Sequence, residues 1–191
     1  MPKVTTGFSK PYVANYSNTG ETVTYSNGML AGRAVSVSIA PESSDASTFY
    51  ADNHEAESVP GIFKGGTVTL TIDGLEQAAE AMIQGTAEVD EEGWLHYDDD
   101  QQTPFLGFGC IRRRLGKGKV TYQALVLPKV CANQITDEAA TQEESVDFQK
   151  AEIEFEIKRD DTAKHEWKRL GKDVETEEEA EAMIKKFFSI K

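Results

Sequence analysis

The stretch that decides the fold is residues 104–131, PFLGFGCIRRRLGKGKVTYQALVLPKVC. It reads as two long strands joined at Leu115-Gly116-Lys117-Gly118-Lys119, where glycine and lysine interrupt the β-branched and aromatic run. With the turn centred on Lys117, Cys110 faces Ala124 and Arg112 faces Tyr122. Leu106, Phe108, Cys110, Val120, Tyr122, Ala124 and Val126 then share one apolar face. The other face is thinner, with Gly107, Gly109, Thr121 and Gln123. A strand pair of this length needs a second layer over its apolar face. Its turn end is basic, with Arg112, Arg113, Arg114, Lys117 and Lys119 crowded together.

That cluster stands out because the chain as a whole is acidic. It has 191 residues with 33 Asp and Glu against 20 Lys and Arg, a formal charge of −13. General binding to nucleic acid is disfavoured, since affinity for phosphates comes from cations that neutralise them. A chain of this length is expected to fold as one domain, 1–191, burying roughly 70% of its extended surface. No apolar run resembles a signal peptide or a membrane span, so synthesis and assembly in the cytosol are expected. Cys131 lies seven residues past Ala124, roughly 23 Å along an extended strand. No disulfide with Cys110 is expected at that separation.

Working outward, the first ten residues are polar and are expected to be loose until docked. From Pro11 to Ala40 the pattern is β-rich. Tyr12, Ala14 and Tyr16 alternate, and Val23 and Tyr25 lead to Asn27-Gly28, a turn pair. Val35, Val37 and Ile39 alternate with serines as a half-buried strand. A polar loop at 41–47 precedes TFYADNHEAES, read as one strand ending at Pro60-Gly61. After Gly65-Gly66, TVTLTID places Val68, Leu70 and Ile72 on one face.

Asp73 and Glu76 have capping-box spacing, and Leu75, Ala78, Ala79, Met82 and Ile83 form a helical stripe that Gly85 stops. Residues 88–102, EVDEEGWLHYDDDQQ, form an acidic excursion around an apolar knot of Trp94, Leu95 and Tyr97. Residues 133–145 read as a polar loop. AEIEFEIK alternates strictly, with Ile153, Phe155 and Ile157 against Glu152, Glu154 and Glu156. HEWKRL around Trp167 is a weaker strand. Thr176 and Glu179 form a second capping box, opening a helix whose stripe is Ala180, Met183, Ile184 and Phe187. Acidic residues in its first turn and Lys185 and Lys186 in its last suit the helix dipole.

Catalytic chemistry finds no foothold in these patterns. Asp52, Asn53, His54 and Glu55 fall on opposite strand faces, and no second histidine stands at ligand spacing. Asp98, Asp99 and Asp100 fail the calcium-loop frame, which would need Gly and Glu where Thr103 and Gly109 stand. His96 and His165 sit beside tryptophan segments as packing or surface residues. Gly107-Phe108-Gly109 lacks the Gly-Lys-Ser/Thr ending of a phosphate loop. Neither an enzyme nor a cofactor or metal requirement is expected.

The order of segments is nonetheless distinctive. A β-rich start is followed by FYADNHEAES, TVTLTIDGLEQAAEAMIQG, PFLGFGCIRRR, KVTYQALVLPKV, EESVDFQKAEIEFEI, a tryptophan segment and TEEEAEAMIKKF. This order resembles the phage major tail proteins, which build the tail tube of long, flexible, non-contractile tails. The resemblance runs from about Gly7 to the last helix. It implies a mainly β fold with α, a β-sandwich or split barrel of two packed sheets with a flanking helix and a C-terminal helix. It further implies hexameric rings stacked into a tube in the virion, assembled in the host cytoplasm, with tape measure and tail terminator proteins as partners. DNA would pass through the lumen without specific binding. The family has no catalytic residues to carry over, and the excursion at 88–102 has no place in its pattern.

From the residues themselves, Glu152, Glu154 and Glu156 are expected to face the lumen, where carboxylates let DNA slide. Duplex DNA carries about one charge per 1.7 Å, so a cationic lining would hold it. Arg112, Arg113, Arg114, Lys117 and Lys119 are expected to meet an acidic surface of a neighbouring subunit, with Asp98, Asp99 and Asp100 as the complement. The other reading is a monomeric β-sandwich that recognises carbohydrate or a cell-surface protein, using Trp94 and Tyr97.

Overall fold

The computed structural model describes residues 2–51, 54–86, 90–99, 101–135 and 150–190. The described residues are mainly β, in two antiparallel sheets with two helices. The large sheet contains β1 (Val4–Thr19), β2 (Thr22–Leu30), β3 (Ala34–Ser43), β6 (Phe63–Ile72), β7 (Phe105–Gly116), β8 (Lys119–Ala132), β9 (Ala151–Lys158) and β10 (Arg169–Val174). Its order is β2-β1-β7-β8-β9-β6-β3, with β10 also paired to β8. The small sheet is a hairpin of β4 (Ser47–Ala51) and β5 (His54–Val59). The stretch TFYADNHEAES is therefore two strands rather than one. The expected loop at 41–47 contracts to 44–46 because β3 continues to Ser43.

β8 holds the large sheet together by changing neighbours along its length. Tyr122 to Val126 pair with β10, and Lys129 to Ala132 pair with β9. Pro128 stands between the two pairings, where a residue without an N–H costs the ladder least. Laid flat, β1 and β3 would be five strand spacings apart, roughly 24 Å. Instead Phe8 of β1 and Val37 and Ile39 of β3 pack on one core. The sheet rolls until its two ends approach. Inside lie Phe108, Leu127, Leu70, Ile153 and Phe155, all fully buried.

The β7–β8 register differs from the expected one by a single residue. Cys110 pairs with Leu125 and Arg112 with Gln123, around a two-residue turn at Lys117-Gly118. Both turn residues have positive φ, 50° and 75°, which matches the strand twist as a type I′ turn. A one-residue slip moves side chains to the opposite face. Tyr122, Ala124 and Val126 thus leave the Cys110 face and join Ile111 in a second core. Both faces of the hairpin are covered, the second by helix α2 (Glu177–Phe187) and Phe188. Gly107 and Gly109, expected on a thin face, form the seat for Phe188.

Other local expectations divide cleanly. α2 opens with the Thr176–Glu179 capping box. Helix α1 (Gln77–Gln84) ends at Gly85 in the left-handed conformation, as expected. It has no side-chain cap: its N-cap residue is Glu76, so the expected Asp73–Glu76 box does not form, and Asp73 accepts the Arg33 N–H and pairs with its guanidinium. Asn27-Gly28 is not a turn. The two residues form a bulge opposite Ala14, and the β1–β2 turn lies at Gly20-Glu21. The N-terminus is not loose from Val4 onward, since Val4 to Ser9 pair with β7. HEWKRL is largely outside the strands. Only its Arg169-Leu170 enters β10, while Trp167 stacks on Phe63 with ring centroids 4.3 Å apart. Both cysteines are free.

Candidate functional site

The outward face of β3-β6-β9 is built by strict alternation. Ile153, Phe155 and Ile157 turn inward with Val68, Leu70 and Ile72, which leaves Glu152, Glu154 and Glu156 exposed as expected. Across the ladder Thr71, Thr69 and Thr67 stand beside these glutamates in that order. Ser36 and Ser38 lie opposite Thr71 and Thr69, and Ser36 Oγ donates to Thr71 Oγ1 at 2.9 Å. The result is a three-strand surface of hydroxyls and carboxylates. Asn133 Nδ2 donates to Glu154 Oε1 at 2.6 Å, and Lys158 pairs with Glu156 at the strand end. Glu152 and Glu154 have no ion pair among the described residues. Such a face turns carboxylates towards a polyanion, with Lys158 at one end of β9 and Lys150 beside Glu152 at the other.

The basic turn end is largely neutralised within the chain. Arg114 Nη1 donates to Asp173 Oδ1 at 2.9 Å, and Lys3 Nζ donates to Asp173 Oδ2 at 3.1 Å. Lys119 pairs with Glu175. Arg113 Nη1 reaches Thr6 Oγ1 at 3.3 Å, and Arg112 Nη2 donates to Gln123 Oε1 at 2.7 Å. Lys117 occupies the exposed turn. Burial pulls the Asp173 carboxyl up, but the hydrogen bonds from Lys3 and Arg114 outweigh it and hold the group below its ordinary value. Asp173 and Glu175 were not singled out in the sequence. Their signal was the Asp-Val-Glu alternation at the end of β10, which aims both acids the same way.

The acidic excursion is organised by Asp90. Its Oδ1 accepts from Glu92 N at 3.0 Å and Trp94 N at 2.8 Å, while Oδ2 lies 2.8 Å from His96 Nε2. The Asp90 N–H donates to the Trp94 carbonyl at 3.0 Å. His96 and these backbone donors depress the Asp90 carboxyl. The expected apolar knot does not form. Trp94 is 65% and Tyr97 52% exposed, because the Asp90 turn draws the backbone in and leaves the rings outside. The Tyr97 hydroxyl reaches Glu80 on α1, which fixes the excursion to that helix.

The two expected partners of an inter-subunit contact are therefore not together within one chain. Asp98 and Asp99 lie exposed on the excursion beside α1, and the arginines lie towards the β7–β8 turn. Phe105 to Arg112 spans seven residues of strand, roughly 23 Å. Asp100, Asp52, Asn53 and most of the 133–145 loop lie outside the described residues.

Among the described residues no group of three His, Cys, Asp or Glu side chains is placed to hold a metal ion. Burial pushes the Cys110 thiol up to about 12, so it packs as a small apolar side chain. No described helix is long and apolar enough to cross a membrane. No protein-family model and no curated protein matches the chain.

Proposed function

We propose that this chain is the subunit of a phage tail tube, a structural virion protein rather than an enzyme. Its copies form hexameric rings that stack into a conduit for DNA, between a tape measure and a tail terminator, after assembly in the host cytoplasm. The order of segments supplies the ring and the stack. The finer fold, a tail-tube split barrel, belongs to this same proposal.

The observation that carries the reading is the hydroxyl-and-carboxylate face of β3-β6-β9. It is lined by hydroxyls and carboxylates and backed by a fully buried apolar layer, with its lysines, Lys150 and Lys158, at the two ends of β9. Turned towards a lumen, its row of glutamates would repel the phosphates of passing DNA. The edge of β2, the outermost strand beyond β1, gives a neighbouring copy somewhere to pair, since exposed edges invite partners. Closure by heterologous contacts turns such pairing into a ring.

A second reading, a monomeric module that recognises carbohydrate or a cell-surface protein, draws on the exposure of Trp94 and Tyr97. Sedimentation and negative-stain imaging of the purified chain separate the two. Rings or tubes, alone or with tail partners, support the first. A chain that stays monomeric at high concentration and adds to no tube rejects it.

A further inference from the structure

One cavity is unlike the rest of this acidic surface. It measures about 440 Å³ and opens where the rolled sheet fails to close, between β1 and β3. Phe8, Val37, Ile39, Cys110 and Leu125 make its walls apolar. Two cations, Arg112 and Lys168, line it, and among the described residues no carboxylate does. Elsewhere the buried or half-buried cations have acids: Lys10 has Glu181, Lys129 has Asp161, Arg114 has Asp173. Lys168 has no such partner among the described residues, and its ammonium stands 5.7 Å from the Trp167 ring centroid. Arg112 keeps its Nε buried without an acceptor. Burial, and then the neighbouring Arg112 charge, holds the Lys168 ammonium below its ordinary value. Two like charges on apolar walls are a costly arrangement when empty. They suit an occupant that brings an apolar group together with a carboxylate.

The chain itself displays that chemistry at its other end. Trp94 projects into solvent, and Glu91 and Glu92 precede it as exposed carboxylates. Tryptophan set in a pocket is a frequent anchor of protein interfaces. The excursion hangs on α1, beyond the start of β7, whereas the cavity lies at Arg112, roughly 23 Å along the strand. One copy placed head to tail on another would bring the two together, and such heterologous contacts propagate into filaments.

We propose that Trp94, with Glu91 and Glu92, inserts into the Arg112–Lys168 cavity of a second copy of this chain. The contact rests on the self-assembly reading and names its axial joint. Of the cations expected to meet the excursion it keeps Arg112, adds Lys168, and leaves out Arg114 and Lys119, which already have acids.

The test places a photo-crosslinking amino acid at position 94 of the full chain and maps the products by mass spectrometry. A crosslink from one copy to Phe8, Ile39 or Leu125 of another, lost in Lys168→Glu, is the expected result. Such a crosslink without any ring or tube would keep the contact and remove the tail-tube reading. Tubes whose residue 94 crosslinks elsewhere, or not at all, would overturn the contact and keep the reading. Trp94→Ala, at an exposed position, should raise the concentration needed for assembly at least tenfold; assembly at the unchanged concentration also overturns the contact. A small carboxylate amphiphile retained in native mass spectra, and released by Lys168→Glu, would assign the cavity to that ligand instead.

Discussion

Phe188 lies against Gly109 so closely that a methyl group at Gly109 would fall 2.8 Å from Phe188 Cε2. The same substitution would come to 3.0 Å of Ile184 Cγ2. The end of α2 therefore docks onto bare backbone, and the glycines of β7 are shaped for an aromatic ring. Gly109→Ala should lower stability by about 1–3 kcal/mol through overpacking. Phe188→Ala should cost about 3–5 kcal/mol by leaving a cavity. In urea unfolding the double variant should lose less than the two single losses added, because the methyl then has room. Full additivity would mean that the two residues do not share this contact.

Glu181 anchors α2 to β1 by a different force. Hydrogen bonds from Lys10 and Tyr12, aided by Lys185, draw its carboxyl down to about 2 from an ordinary 4.5. A depressed folded carboxyl contributes stability that is complete above pH 4.5 and is lost as pH falls towards 2. Glu181→Gln should cost about 1.5–3 kcal/mol at neutral pH and flatten the acid limb in that window. Tyr12, raised to about 12 by burial and by this carboxylate, should then titrate at lower pH in an ultraviolet scan. An acid limb of unchanged slope would show that other carboxylates dominate it.

The Thr176 hydroxyl accepts the Glu179 N–H at 3.3 Å, and Glu179 reaches back to the Thr176 N–H at 3.4 Å. Thr176→Ala should cost about 1 kcal/mol. Amide exchange at Glu179 should accelerate in step. Asp73→Ala should leave the amide exchange of α1 as it is, because that carboxylate serves Arg33 rather than the helix.

Lysine at positions 152, 154 and 156 together should leave the far-ultraviolet spectrum and the folded core intact, since all three side chains face away from it. In a tube that carries the change, DNA release should slow, and more so at low salt where phosphate contacts are strongest. Unaltered release would take these carboxylates out of the lumen.

What local sequence determined here are the features whose partners lie within a few residues. The alternation of AEIEFEIK sorted three glutamates from three core residues because a strand turns successive side chains to opposite faces. The Thr176 box and the Gly85 stop followed from bonds that close within one helical turn. Tertiary structure alone decided choices between distant alternatives. The β7–β8 hairpin took the register that lets Lys117-Gly118 form a tight turn and lets α2 cover Ile111, Ala124 and Val126. Asn27-Gly28, which has the dihedral freedom for a turn or a bulge, became a bulge because Gly20 turns the chain first. Asp73, expected to cap α1, lies three residues before the N-cap Glu76 and pairs with an arginine 40 residues away. Competition of the same kind, between local and distant partners, paired Arg114 and Lys119 with Asp173 and Glu175, and left Arg112 and Lys168 in a cavity with no acid among the described residues. A charge pattern in one dimension shows which groups need partners. Which partner arrives depends on how the sheet rolls, and that is set by the packing of the whole core.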